Sequence, residues 1–118
     1  MSNLKSTIVI PVYNQYNALK KVLLSFMKQT IAADSYEIVV IDDGSDDELK
    51  YETSNTLSDK YNIEIMLYHQ ENQGRAAARN MGIALAKYEV IIFCIVKSTK
   101  LYKLNTATAK LSTYRGIM

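Results

Sequence analysis

The sequence predicts an α/β domain: a mostly parallel sheet of about four strands with helices on both faces. Two observations carry that expectation. Apolar runs rich in β-branched residues alternate with stretches of helical periodicity, and the first two runs are continuously apolar, as strands buried on both faces of a parallel sheet must be. Length agrees, since 118 residues make one domain with a single core.

The first strand is STIVIPV, Ser6 to Val12, and Pro11, which has no N–H to donate, marks where ladder pairing stops. Asn17 is placed to cap a helix from Ala18 to about Gln29, with Leu19, Val22, Leu23, Phe26 and Met27 on one face. The second strand, YEIVVIDD, ends in Asp42 and Asp43, and Gly44 and Ser45 turn the chain. Ser45 and Glu48 have the spacing of a capping box, so a second helix is expected from there to about Lys60; its thin apolar face, Leu49, Leu57 and Tyr61, puts it at the surface. Ile63 to His69 reads as the third strand, and Asn72, Gln73 and Gly74 as a turn. RAAARNMGIALAK follows as a third helix whose alanines permit close approach to a sheet. Glu89 to Cys94 is the fourth strand; beyond it there is no clear period, and the tail is read as helical.

Composition bounds the function. Nearly half the residues are hydrophobic and the charged fraction is ordinary, as in a globular protein. The longest N-terminal apolar run is far below the roughly 18 residues of a membrane span, and no signal peptide is visible. The single cysteine, Cys94, excludes a disulfide framework or a paired-cysteine zinc site, and a cytoplasmic setting is expected. The net charge of +2 hides an asymmetry: residues 1–89 hold all 12 acids and 9 bases, whereas 90–118 hold five bases and no acid. Those five bases, with only Tyr102 and Tyr114 among them, fit a solvated surface better than a nucleic-acid site, and no nucleic-acid partner is expected.

In open α/β sheets ligands bind beyond the carboxyl ends of the strands. Candidate residues are therefore Pro11, Val12, Tyr13 and Asn14, then Asp42 to Ser45, then Gln70 to Gly74 with the following helix start. Asp42 and Asp43 admit two readings: capping the strand end and turn, or accepting an N–H from a nucleobase. Arg79 either pairs with phosphate or is a solvated helix residue. His69 is a packing or rim residue, and no Gly-x-Gly-x-x-Gly follows the first strand, so the dinucleotide-binding fingerprint is missing. A receiver domain also uses paired acids on such a sheet, but after its first and third strands, where this chain has PVYN and HQEN.

In order and at compatible spacing, IVIPVYN, YEIVVIDDGSDD and ENQGRAAARNMGIALAKYEVIIF resemble the start of the family 2 glycosyltransferases, from about Ser6 to Phe93. The resemblance implies a Rossmann-like GT-A fold, truncated here to its nucleotide-binding half. It also implies transfer of a sugar, often UDP-linked, to the hydroxyl of a glycan or lipid-linked acceptor, usually with inversion. On this resemblance Pro11, Val12, Tyr13 and Asn14 lie along the nucleoside, Asp43 meets the base with Asp42 beside it, Arg79 faces the nucleotide, and Gly74 lets the chain pass close to the ligand. Glycan synthesis at the cytoplasmic membrane face, with peripheral membrane association, is family background.

The family holds a divalent cation, Mn or Mg, with an Asp-x-Asp directly after the fourth strand. The corresponding positions here are Ile95, Val96 and Lys97, so the expected ligands are absent. Three explanations stay open: a metal-free member in which Lys97 neutralises phosphate charge, a native sequence that stops near Cys94 with a foreign tail after it, or acids elsewhere in the tail. The third finds no acid after Glu89. The second is preferred because resemblance and acids end together. The expected organisation is thus residues 1–94 as the nucleotide-sugar-binding half and 95–118 as an atypical basic tail. The expected chain is inactive, lacks the catalytic base, and self-associates through an uncovered strand; the alternative is a non-enzymatic nucleotide-binding or interaction module.

Overall fold

A computed structural model describes residues 5–29, 35–96 and 109–115. The elements run β1 (Ser6–Val12), α1 (Tyr16–Met27), β2 (Tyr36–Asp43), a 3-10 turn (Glu48–Tyr51), α2 (Ser54–Tyr61), β3 (Ile65–Gln70), α3 (Arg75–Leu85), β4 (Val90–Val96) and β5 (Ala109–Arg115). The sheet order is β3-β2-β1-β4-β5. β1 pairs in parallel with β2, Ile8 opposite Ile38, and with β4, Ile8 opposite Ile92; β2 pairs in parallel with β3, Val40 opposite Leu67. The expected four-stranded parallel sheet is present.

Alternate residues of each strand face opposite layers, which places two packed layers on one sheet. Ile8, Ile10, Val12, Ile38, Val40, Ile65 and Leu67 form a buried cluster with Leu19, Val22 and Leu23 of α1 and Leu57 and Tyr61 of α2. On the other face, Val39 and Ile41 pack with Ala78, Met81 and Leu85 of α3. β2, at the centre of the four parallel strands, is buried along its whole length. The alanines of α3 allow the close approach expected of them, and Gly82 sits so near β1 that a Cβ there would collide with Val9 Cγ1.

Three local expectations are corrected. α1 starts at Tyr16, not Ala18, and Asn17 lies inside it; no side chain caps it, and the Tyr16 N–H instead donates to Asp47 Oδ2 at 3.0 Å. α1 also ends at Met27, which is exposed. Ser45 caps no helix: Asp47 caps the 3-10 turn by accepting the Leu49 N–H, and α2 begins only at Ser54 under a Thr53–Thr56 capping box. The Asp46 N–H bonds Asn14 Oδ1 and the Asp47 carboxylate accepts the Tyr16 N–H, so the turn after Ser45 ties the end of β2 to the start of α1. Third, the tail contains a strand rather than a helix. β4 continues to Val96, and β5 lies antiparallel along it, from Val90 opposite Arg115 to Val96 opposite Ala109. That strand covers the edge of β4; Lys97 to Thr108 lie outside the described residues.

The amino end of the sheet is closed by a buried polar knot. Thr7 Oγ1 donates to Glu37 Oε2 at 2.7 Å, the Lys87 N–H donates to the same oxygen at 2.7 Å, and the Tyr88 N–H donates to Thr7 Oγ1 at 3.2 Å. A buried carboxylate is tolerable only with such partners. No helix among the described residues is long and apolar enough to cross a membrane.

Candidate functional site

The carboxyl ends of β1 and β2 are stitched together by their own loops. Asn14, in the left-handed region at φ 53°, donates its N–H to Ser45 Oγ at 2.9 Å, and its Oδ1 accepts the Asp46 N–H at 2.7 Å. Gly44 turns the chain at φ 81°, and a Cβ there would lie 2.7 Å from Asn72 N, so only glycine lets the DDGS turn rest on the segment after β3.

The paired carboxylates do different work. Asp42 is buried, accepts the Ser45 N–H on Oδ1 at 2.8 Å, and places Oδ2 2.7 Å from His69 Nδ1. His69 in turn sets Nε2 3.0 Å from the Glu52 carbonyl oxygen, so this half-exposed rim residue joins β3 to the chain before α2. Asp43, also buried, is the centre of the next segment. Its Oδ1 accepts Gln70 Nε2 at 2.8 Å and the Gln73 N–H at 2.9 Å; its Oδ2 accepts the Gly74 N–H at 3.0 Å and Asn72 Nδ2 at 3.3 Å. Four donors fill the acceptor capacity of an ionised carboxylate. Gly74, at φ 100° and ψ 165°, holds a conformation open to glycine alone, and a Cβ there would meet no protein atom within 4 Å.

An open cavity of about 230 Å³ lies against these loops, lined by Pro11, Val12, Tyr13, Gln15, Asp43, Asn72, Gly74, Arg75, Ala78, Ile95 and Val96. Of the sequence-predicted site residues, Pro11, Val12, Tyr13, Asp43 and Gly74 share it. Asn14 and Asp42 do not line it; the Asn14 N–H and Oδ1 and both Asp42 carboxylate oxygens bond the loops behind. Arg79 does not line it either: it is half-buried about one turn along α3, and Arg75 faces the cavity instead. Sequence reasoning also missed Gln70 and Asn72 as the partners of Asp43. The signal was available, because strands of a parallel sheet in register put Gln70 opposite Asp43.

A cation, one anion already bonded, an exposed tyrosine and an apolar floor suit a ligand with a flat ring and negative groups. A divalent cation is a different matter. The side chains of Ile95 and Val96 carry no ligand atom, and Asp43 has both oxygens engaged. Among the described residues no group of three or more His, Cys, Asp or Glu could hold a metal ion. These residues do not fit the metal that the family resemblance implies.

Comparison with known proteins agrees with the fold. The model of glycosyl transferase family 2 matches residues 7–94. The chain is 38% identical over 109 residues to glycosyltransferase GlyG of Streptococcus pneumoniae, covering 89% of this chain and 33% of GlyG. It is similar to the crystal structure of S. aureus TarS 1-349 in complex with UDP-GlcNAc, with TM-score 0.65 and 25% identity over 77% of this chain and 26% of the other. It is also similar to GalNAc-T7 crystallised with UDP, GalNAc and Mn2+, with TM-score 0.66 and 29% identity over 78% of this chain and 17% of the other. The chain spans between 14% and 33% of the length of the first curated relatives it matches. With the family model covering about three quarters of it, the chain belongs to glycosyl transferase family 2.

Proposed function

We propose that this chain is the nucleotide-recognition half of a transferase that moves a sugar from a nucleotide-diphospho-sugar, UDP-linked, to the hydroxyl of a glycan or lipid-linked acceptor. By itself it binds the donor's nucleotide without transferring the sugar. The observation that carries this reading is the cavity at the carboxyl ends of the strands, where Asp43 and the Pro11–Tyr13 segment share one wall system. A base laid along that segment brings its N–H groups toward Asp43. Because all four acceptor sites there are filled, the base displaces the longest bond, Asn72 Nδ2 at 3.3 Å, and Asn72 keeps its 3.0 Å bond to the Asp43 carbonyl.

The apolar wall supports the reading of a chain that does not transfer: the side chains of Ile95 and Val96 carry no carboxylate to hold a cation at the leaving diphosphate. This favours a binding module for the isolated chain. The proposed setting is glycan synthesis at the cytoplasmic membrane face. Self-association belongs to the same reading: β3 is an outer strand, and Met66 and Tyr68 are exposed on it.

Calorimetric titration of the purified chain with UDP tests the reading. Saturable one-to-one binding supports it, and heat no different from buffer sinks it. Incubation with UDP-sugar donors should release no UDP; release above background would contradict the inactive half.

A further inference from the structure

The misfit between this cavity and a metal leaves a question of charge: what meets the phosphates of a bound nucleotide? We infer that Arg75 does so in place of a divalent cation, and that nucleoside diphosphate binding here is independent of metal. The inference rests on the nucleotide-binding reading above and gives that same site its phosphate contact.

Three observations carry it. First, the strand position where acids would hold a cation contributes Ile95 and Val96 to the cavity wall, so the wall is apolar where a metal would need oxygen. Second, among the described residues that line the cavity, Arg75 is the only cation and Asp43 the only anion. Third, these two charges do not neutralise each other. Asp43 is bonded to Gln70, Asn72, Gln73 and Gly74, and the ion pairs of the described residues are His69 with Asp42 and Lys87 with Glu64, neither of which involves Arg75. Among the described residues the guanidinium therefore has no carboxylate partner.

Position and chemistry agree. Arg75 is the first residue of α3, directly after Gly74, whose positive φ sets the direction in which the helix leaves the loop. A planar guanidinium offers paired N–H donors that match two phosphate oxygens, and it stays charged at any working pH. Asp43, four residues' worth of donors away from needing Arg75, holds the loop that presents it. Arg79 lies one turn further along α3, outside the cavity lining.

The test uses the whole chain, and Arg75→Ala with Lys28→Ala as a control at the opposite end of α1. UDP, GDP, uridine and guanosine are titrated into each, once in EDTA and once with Mn2+. The expected result is that a diphosphate binds the unaltered chain about tenfold or more tightly than its nucleoside in EDTA. Arg75→Ala should erase that advantage while leaving nucleoside affinity and the melting temperature unchanged, and Mn2+ should change nothing. Lys28→Ala should behave as the unaltered chain. A rise of about tenfold or more in diphosphate affinity with Mn2+ would overturn the inference. So would a diphosphate advantage that survives Arg75→Ala. Either result leaves nucleotide binding itself intact, whereas failure of every nucleoside and diphosphate to bind would remove both the inference and the reading beneath it.

Discussion

Asp43 accepts the backbone N–H of Gly74 at 3.0 Å, a bond that joins the end of β2 to the first turn of α3 across 31 residues of sequence. With three further donors on the same carboxylate, it makes Asp43 a fastener for the cavity rim before it is anything else. Asp43→Ala is therefore expected to lower stability by about 1–3 kcal/mol, because the Gln73 and Gly74 N–H groups lose their partner. It should also weaken UDP binding. Urea unfolding read beside a UDP titration checks both; unchanged stability would contradict the fastening role, and unchanged affinity the base contact.

Gly82 and Val9 set a second expectation. Alanine is the better helix former, so Gly82→Ala would stabilise an exposed helix. Here the added Cβ collides with a buried, stiff valine side chain, and α3 must move off β1. Overpacking of this kind costs about 1–3 kcal/mol and outweighs the propensity gain. A lowered thermal midpoint is expected, and a raised one would show that α3 is less tightly seated.

The Tyr16 hydroxyl donates to Glu52 Oε2 at 2.6 Å, joining α1 to the residue before the α2 cap. That bond is the main cause holding the Glu52 carboxyl below its ordinary 4.5, against a smaller opposing effect of burial. A depressed folded value means the contribution is present above 4.5 and is lost as pH falls through the folded value. The stability gap between the unaltered chain and Tyr16→Phe should accordingly be widest near neutrality and shrink in acid. A gap that is constant from neutral to acid pH would assign the loss to packing alone.

Cys94 is buried in β4, and burial pushes its thiol up to about 12. Little thiolate exists at pH 8, so iodoacetamide should label the folded chain far more slowly than the chain in urea. Equal labelling rates would mean that the β4 region opens readily.

Most of the layout was legible in the sequence because it rests on periodicity. Ile8 to Val12 and Ile38 to Ile41 announce buried parallel strands, and Leu19, Val22 and Leu23 announce the helix that covers them. What was hidden is what depends on long-range polar contacts. Ser45 had the spacing of a cap, yet its hydroxyl is taken by Asn14, 31 residues away. Arg79 looked like the ligand-facing cation, yet Arg75, one turn earlier on the same face of α3, is the arginine that lines the cavity, a matter of position along the helix that composition does not reveal. The tail shows no period, and β5 forms there because the edge of β4 offers unpaired backbone groups that a neighbouring strand satisfies.

The proposed nucleotide site is the cavity between the Pro11–Tyr13 segment and the start of α3. Amide chemical shifts of the isotope-labelled chain, followed by nuclear magnetic resonance during a UDP titration, test it most directly. The largest movements are expected to cluster at Val12, Tyr13, Asp43, Gly74, Arg75 and Ala78. Saturating movements confined to other surfaces, or none at all, would contradict it.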